Sequence, residues 1–408
     1  MQLIGPITQI VTLRGLSLRG SVSDDQLEII YNGGVCVSDK NIVDVGPYSN
    51  LRKKYPNARI TEIHSPSVML PAFVDAHTHI CWAGTRAADF AMRNAGKSYL
   101  EIAESGGGIW STVTQTRLAD QSELENGIIN RSKKLIEQGI TTVEIKSGYG
   151  LDIQTELKML QAIKNTAERS DIRFISTCLA AHIKPHDFTG DQTAYLRWLL
   201  RELLPVVKAE TLSRRVDIFT ERSAFDIENS WMYLDAARSM GFDITIHADQ
   251  FSPGGSILAC KLKAVSADHL EASGEAEIKA LAQSDTVAIA LPGASLGLGE
   301  PFAPVRKLLD KGAIVAIASD WNPGSAPMGN LIAQASILAS YEKITSAEIY
   351  ASLTYRAAHA LRINGIGVID FGCSADFQLY ETDDHREILY HQGQMLPSQV
   401  YSKGISLI

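Results

Sequence analysis

Eight short runs of apolar and β-branched residues, separated by longer amphipathic stretches, constrain the fold of this 408-residue chain more than any other feature. The runs are 72–80, 141–147, 173–182, 216–221, 243–247, 264–269, 286–291 and 313–320. Helical patterns lie between them at 124–138, 153–169, 229–240, 275–283 and 305–311. Such alternation favours parallel strands joined by helical crossovers, and eight units over about 250 residues match the size of a TIM barrel.

The apolar content of the runs and the glycines at the ends of the helical stretches also favour an α/β fold. Residues 313–318 are apolar on both faces, as strands of a parallel sheet buried on both sides must be. Gly139, Gly241 and Gly312 stand where helix C-caps are expected. The main rival is a doubly wound open sheet, but no glycine-rich phosphate loop follows the first strand. We therefore expect a (β/α)₈ barrel over residues 69–364.

The two ends of the chain have a different pattern. Residues 1–68 alternate apolar and polar side chains between turn signals, and residues 365–408 contain a second, shorter set of strand-like runs. We expect both sets to form antiparallel strands that meet in one small composite β-sandwich beside the barrel.

Composition limits the function. The formal net charge of −8 argues against a general nucleic-acid or anionic-membrane surface, although a small carboxylated ligand remains compatible with one local arginine. No run approaches 18 uncharged apolar residues, and the first residues lack a signal-peptide pattern. The five cysteines have no C-x-x-C pairing, so we expect reduced thiols in a cytoplasmic protein.

Histidines cluster at the predicted strand ends. Because side chains alternate along a strand, His77 and His79 share one face, which makes either half a metal site or a pair of buried, hydrogen-bonded histidines. The later strands end in chemically useful residues as well: His182, Glu221, His247, His269 and Asp320. Five of the ten histidines thus fall where TIM barrels carry their catalytic groups.

One metal ion is the simplest use of these residues. His77, His79, His247 and Asp320 offer three neutral nitrogens and one hard anion, a set that suits zinc, iron or manganese. Sites with two ions often need a bridging carboxylate, commonly a carbamylated lysine on the fourth strand, and the fourth run, 216–221, has no lysine. Asp320 could act as general base toward a metal-activated water. His269 could hold the water or polarise a carbonyl, or it could only orient a neighbour.

Loops after the strands offer groups for a substrate. Arg86 could bind a carboxylate through its forked guanidinium, or be a surface arginine. Tyr149 could present its hydroxyl to a ligand, or pack in the core. The segment 320–325 could line the mouth of the barrel, or be simply a turn.

Taken together, these residues resemble the imidazolonepropionase family of the amidohydrolase superfamily. The most specific stretches are Pro71-Ala-Phe-Val-Asp-Ala-His-Thr-His79, Gly84-Thr-Arg86 through Gly106-Gly-Gly-Ile109, Glu144-Ile-Lys-Ser-Gly-Tyr-Gly-Leu151, His247-Ala-Asp-Gln250, Ser266-Ala-Asp-His-Leu-Glu271 and Ser319-Asp-Trp-Asn-Pro-Gly324. The resemblance implies hydrolysis of the cyclic amide of 4-imidazolone-5-propanoate to N-formimino-L-glutamate in histidine degradation, with zinc or iron, and possible homodimers. It implies metal ligation by His77, His79, His247 and Asp320, and substrate contacts by Arg86, Tyr149, His182, Asn322, Gly324 and Ser325.

One position departs from some family members, which carry Glu where this chain has Gln250. Gln250 can hydrogen-bond a substrate ring but cannot transfer protons at neutral pH, so proton handling shifts to Asp320 and His269. The same change disfavours a related nucleobase deaminase or chlorohydrolase, which tends to use that Glu. A dihydroorotase or hydantoinase would be expected to carry the bridging lysine. A catalytically silent barrel that binds a carboxylated ligand or a partner is the alternative outside enzymes.

Overall fold

The computed structural model describes residues 1–97 and 99–408. Its strands are, in chain order, β1 (Gln2–Val11), β2 (Ile29–Ser38), β3 (Asn41–Pro47), β4 (Arg59–Glu62), β5 (Val68–Pro71), β6 (Phe73–Asp75), β7 (Ile140–Lys146), β8 (Arg173–Ala181), β9 (Arg215–Thr220), β10 (Asp243–Ala248), β11 (Ser266–His269), β12 (Val287–Ala290), β13 (Val315–Ile317), β14 (Phe377–Tyr380), β15 (Gln399–Ser402) and β16 (Ile405–Ser406).

The α-helices lie mostly between the barrel strands along the chain. They are α1 (Tyr48–Lys54), α2 (Ala87–Asn94), α3 (Tyr99–Glu104), α4 (Ile109–Leu118), α5 (Gln121–Glu137), α6 (Ile153–Glu168), α7 (Gln192–Trp198), α8 (Leu204–Ala209), α9 (Ile227–Ser239), α10 (Gly255–Lys261), α11 (Glu275–Ala282), α12 (Pro292–Leu298), α13 (Val305–Asp310), α14 (Leu331–Glu342), α15 (Ser346–Leu353), α16 (Tyr355–Ala360) and α17 (Arg386–Tyr390). A 3₁₀ turn (Asp24–Gln26) and a π-helical turn (Leu199–Leu203) complete the set.

The barrel consists of β6 to β13 in sequential order, with all registered neighbours parallel. Its first and last strands meet just beyond their ends, where Thr78 bridges Trp321. The His79 N–H donates to the Trp321 carbonyl at 3.0 Å, and the Asp320 N–H donates to the His77 carbonyl at 3.0 Å. The eight predicted strands and the barrel are therefore confirmed.

The ends of the predicted helices have clear chemical causes. Asp120 and Asp152 cap α5 and α6 by accepting from the backbone N–H groups of Glu123 and Thr155. Gly139, Gly241 and Gly312 follow α5, α9 and α13 with φ values of 81°, 91° and 89°, a left-handed conformation that glycine adopts without a Cβ clash.

Both chain ends contribute to one mixed sheet, in the order β16-β15-β14-β5-β1-β2-β3. The composite β domain is confirmed, but its strands form a sheet that forks at β1. The first half of β1 pairs with β4 and its second half with β5. Both pairs are parallel, not antiparallel as expected, because the chain passes through β2, β3 and α1 before it returns in the same direction.

The sheet is joined directly to the first barrel strand. β5 runs beside β14 and leads into β6 with only Ala72 between them. The Ala72 N–H donates to the Asp376 carbonyl at 3.1 Å, and the Gln378 side chain donates to the Pro71 carbonyl at 3.1 Å. In the described part of the chain, no helix is both long and apolar enough to cross a membrane.

Candidate active site

Three imidazole rings converge at the C-terminal mouth of the barrel. His77 and His79 follow β6, and His247 lies near the end of β10; all three are at most 3% exposed. The Nε2 atom of His79 lies 3.3 Å from the Nε2 atoms of both His77 and His247. Two nitrogens bound to one tetrahedral zinc ion at 2.0–2.1 Å are separated by about 3.3–3.4 Å. The spacing of these donor atoms therefore fits one metal ion.

Asp320 supplies an oxygen at the same point. Its Oδ1 atom lies 3.5 Å from the Nε2 of His77 and 3.4 Å from the Nε2 of His79. Asp320 is buried, with a left-handed φ of 50°, and His269 has a φ of 89°. Non-glycine residues in this region are uncommon and concentrate at functional sites.

The protonation of these groups suits a cation. Burial lowers the pKa of His79 to about 4 and holds the pKa of His247 well below its usual range, so both rings are neutral and have lone pairs to donate. Burial opposes the ionised form of Asp320, but His77 and His79 outweigh it and hold its pKa well below the usual range. Burial and Lys146 also lower the pKa of His77, yet Asp268 and Asp320 raise it to about 9. This ring thus stands where positive charge is favoured.

A second set of buried charges lies behind the histidines, and sequence reasoning missed its role. The Nδ1 atom of His77 donates to Asp268 Oδ2 at 2.7 Å, and the Nδ1 atom of His247 lies 3.0 Å from Asp217 Oδ2. Lys146 lies between these carboxylates. A signal existed in the sequence, because charged residues inside otherwise apolar barrel strands must have partners.

Two further aromatic rings lie beside the histidines. The ring of His182 stacks on His79 with centroids 5.5 Å apart, and the ring of Tyr149 lies 5.9 Å from His79. The Nδ1 atom of His182 lies 3.0 Å from the Gly148 carbonyl oxygen. Burial lowers the pKa of His182 to about 4, while burial and Asp320 raise the pKa of Tyr149. His182 is therefore neutral and Tyr149 keeps its phenolic proton.

His269 lies at the other side of the ligand cluster. Its ring centroid is 5.4 Å from that of His247 and 6.0 Å from that of His77. Its Nδ1 atom lies 3.5 Å from Glu271 Oε1, an oxygen that also accepts from Ser295. This position is compatible with contact to a reacting group or with orientation of neighbours.

The loop after β13 contacts Asp320 at one end and the Arg86 guanidinium at the other. The Asn322 amide donates to Asp320 Oδ2 at 2.9 Å and accepts from the backbone N–H groups of Gly324 and Ser325 at 2.8 Å each. A Cβ on Gly324 would lie 2.5 Å from Arg86 Nη1, so the missing side chain is what admits the guanidinium. Arg86 is also fixed by its Nε, which donates to Asp89 Oδ2 at 2.7 Å.

Glu221, which follows β9, and Gln250, which follows β10, have different surroundings. Glu221 turns to the loop after β10, where its Oε2 atom accepts from the N–H groups of Phe251 and Ser252 at 2.9 and 3.0 Å. Gln250 is half-buried in that loop, two residues beyond the end of β10. The structure thus gives Glu221 a structural role and leaves Gln250 near the mouth.

Known proteins place the chain in a family. The sequence model of the amidohydrolase family matches residues 68–405. An imidazolonepropionase of Bdellovibrio bacteriovorus is 39% identical over 98% of this chain and 95% of its own length. The imidazolonepropionase of Deinococcus radiodurans is 39% identical over 98% of each chain.

Solved structures share the fold at much lower identity. A guanine deaminase from C. acetobutylicum superposes with a TM-score of 0.72 at 16% identity, covering 100% of both chains. An adenosine deaminase from Xanthomonas campestris gives a TM-score of 0.72 at 18% identity, covering 99% of this chain and 92% of its own. The near-complete match at 37–39% identity to curated relatives of one name is the more specific finding. The chain belongs to the imidazolonepropionase family of the amidohydrolases.

Proposed function

We propose that this protein opens the ring of 4-imidazolone-5-propanoate by hydrolysis, yielding N-formimino-L-glutamate in histidine degradation. The observation that carries the proposal is the meeting of two features in one buried mouth. A donor set of His77, His79, His247 and Asp320 stands beside a loop that admits the Arg86 guanidinium. The first suits metal-assisted hydrolysis, and the second suits a substrate with a carboxylate.

The four donors would hold one zinc or iron ion. The Nε2 atom of His79 lies 3.3 Å from those of His77 and His247 and 3.4 Å from Asp320 Oδ1, so a cation placed between these atoms would be their shared partner. When bound, such an ion acidifies a water and polarises a carbonyl oxygen. The absence of a lysine on β9 favours one ion over two.

Asp320 is the proposed general base. Oδ1 faces the histidine nitrogens, and Oδ2 is fixed by the Asn322 amide. Because its pKa is held low, the carboxylate is ionised and can accept the proton of the attacking water. It would then return that proton to the ring nitrogen that leaves when the C–N bond breaks. Asn322 keeps the carboxylate aligned through both transfers.

The substrate would be oriented by groups at the mouth. Arg86 would bind the propionate carboxylate through its forked N–H groups, and Tyr149 would donate its phenolic proton. Because the Gly148 carbonyl can only accept, the neutral His182 ring donates from Nδ1, and its Nε2 atom is left to accept from a substrate ring N–H. Gly324 and Ser325 would line the carboxylate end, Gln250 would hydrogen-bond the ring, and His269 would contact the water or the carbonyl oxygen.

Beyond the reaction itself, we infer that the protein acts in the cytoplasm on a small carboxylated molecule and forms homodimers. A nucleobase deaminase is the alternative that the sequence leaves, although Gln250 disfavours it. The superposing deaminase structures, at 16–18% identity, support only the shared fold.

The decisive test supplies metal-loaded protein with freshly generated imidazolonepropionate and follows formiminoglutamate by mass spectrometry. Hydantoin, guanine and adenosine serve as competing substrates. We expect ring opening of imidazolonepropionate only. Release of ammonia from guanine or adenosine would favour the deaminase, and no product with any substrate in metal-replete protein would favour a silent barrel.

A further inference from the structure

We propose that Lys146 is a positioning residue for the metal centre: its ammonium group fixes the carboxylates that orient two ligand histidines. The inference rests on the metal centre proposed above and concerns a residue that does not itself reach the donor atoms. It is carried by the arrangement of Lys146, Glu144, Asp217 and Asp268, defined here as the lysine cluster.

The lysine cluster lies wholly inside the barrel. Lys146, at the end of β7, is 0% exposed, as are Glu144 and Asp217, and Asp268 is 1% exposed. Lys146 Nζ lies 2.8 Å from Glu144 Oε1, 2.9 Å from Asp217 Oδ2 and 3.9 Å from Asp268 Oδ2. An ammonium group buried this deeply is stable only because carboxylates surround it.

Each carboxylate of the cluster contacts a different piece of the metal centre. Asp217 Oδ2, which lies 2.9 Å from Lys146 Nζ, also lies 3.0 Å from His247 Nδ1. Asp268 Oδ2 accepts from His77 Nδ1 at 2.7 Å. Glu144 Oε2 accepts from the backbone N–H of Thr78, between the paired histidines, at 3.3 Å. Through these carboxylates Lys146 is connected to His77, to His247 and to the backbone at Thr78. It has no such connection to the His79 ring or to Asp320.

These contacts decide which nitrogen can bind an ion. A carboxylate beside Nδ1 keeps the proton on that nitrogen and leaves the Nε2 lone pair for the metal. Asp217 and Asp268 are both buried and both face Lys146 Nζ, at 2.9 and 3.9 Å, so the ammonium group holds the two carboxylates in place. Without it, we expect one carboxylate to rotate, so that its histidine loses a fixed orientation.

The test measures zinc affinity of metal-stripped protein by competition with a chelator, in wild type, K146M and K158M. Lys158 is the matched control: its Nζ donates to the carbonyls of Thr116, Arg117 and Ala119 at 3.1, 3.0 and 2.6 Å, with no contact to the ligand set. We expect a 10–100-fold weaker affinity in K146M, the usual effect of losing a partner behind a metal ligand, and less than a twofold change in K158M.

A merely structural role predicts another result. In that case K146M lowers the thermal midpoint while the folded protein binds zinc within twofold of wild type, and the inference is overturned. The visible spectrum of the cobalt-substituted protein gives an independent readout, because reoriented histidines change its bands. An identical cobalt spectrum in K146M also contradicts the proposal.

A double variant keeps the inference testable if K146M does not fold. K146M/D217N removes opposite charges together, and we expect it to bind zinc only slightly more weakly than D217N alone, because Lys146 acts mainly through Asp217, 2.9 Å away, and less through Asp268, 3.9 Å away. Affinity in K146M/D217N weaker than in D217N by tenfold or more would mean that Lys146 does not act mainly through Asp217 and would overturn the proposal. Wild-type protein that binds no zinc or iron would instead refute the metal centre itself.

Discussion

The backbone N–H of Asp320 donates to the carbonyl oxygen of His77 at 3.0 Å. The same two residues bring their side chains together, with Asp320 Oδ1 at 3.5 Å from His77 Nε2. The first and last strands of the barrel are therefore joined at the residues that carry the proposed chemistry. Ser319 reinforces the joint, since its N–H donates to Asp75 Oδ1 at 3.0 Å.

Removing the charge of Asp320 should stop turnover without unfolding the barrel. In D320N the side chain keeps its shape but can no longer accept the water proton, so we expect kcat to fall at least about 100-fold. Steady-state kinetics and the thermal midpoint from circular dichroism measure the two effects. D235N, an exposed carboxylate paired with Arg238, is the control and should keep full activity. Substantial activity in D320N would exclude Asp320 as the base.

Removal of the metal should be reversible in wild type and irreversible in a ligand variant. Dialysis against a chelator should abolish activity, and zinc or iron should restore it with one ion per chain, counted by elemental mass spectrometry. H79A should recover neither the ion nor the activity, because it loses the nitrogen that lies 3.3 Å from both partner nitrogens. Full activity in protein free of measurable metal would contradict the hydrolytic centre.

A methyl group at Gly324 should weaken substrate binding through Arg86. In G324A the added Cβ would lie 2.5 Å from Arg86 Nη1, so the guanidinium must shift. We expect KM to rise about tenfold, the equivalent of losing one charge-assisted hydrogen bond of about 1.5 kcal/mol, with metal content unchanged. In G46A, where a Cβ meets nothing within 4 Å, kinetics should match wild type. A loss of metal in G324A would mean that this loop supports the ligands.

The buried thiols should resist alkylation at mildly alkaline pH. Burial raises the pKa of Cys81 and of Cys178 to about 12. At pH 8 only about one in ten thousand of these thiols would be a thiolate, and reactivity should appear only as pH rises toward 12 or the protein unfolds. Mass spectrometry after maleimide treatment should find the two partly exposed cysteines, Cys260 and Cys373, labelled first. Early labelling of Cys81 in native protein would mean that the barrel opens.

The sequence predicted those features that depend only on residues close together along the chain. The barrel strands could be predicted because parallel strands buried on both faces are apolar throughout, as in β13. His77 and His79 could be assigned to one face because side chains alternate along a strand. The loop contact between Gly324 and Arg86 follows only from the three-dimensional path of the chain, although the family resemblance named both residues.

Other features required distances that no sequence pattern contains. Lys146 and Asp217 come from separate strands, and their pairing depends on how the barrel turns their side chains inward. The direction of the β1–β5 pair depends on the path of the intervening chain, so the expected antiparallel pairing was wrong at that point. Gln250 remains a prediction from the resemblance, because its loop position alone assigns it no partner.

The hydrogen bond from the Ala72 N–H to the Asp376 carbonyl ties the C-terminal part of the chain to the start of β6, the strand that leads to His77 and His79. The strand that presents the paired histidines begins where the C-terminal sheet holds it, so its starting point is set by residues synthesised last. A chain shortened before Asp376 would lose this hydrogen bond, and the rings of His77 and His79 would then be less precisely oriented. We therefore expect a C-terminal truncation that removes Asp376 to weaken retention of the proposed metal ion, although it leaves every proposed ligand in the chain.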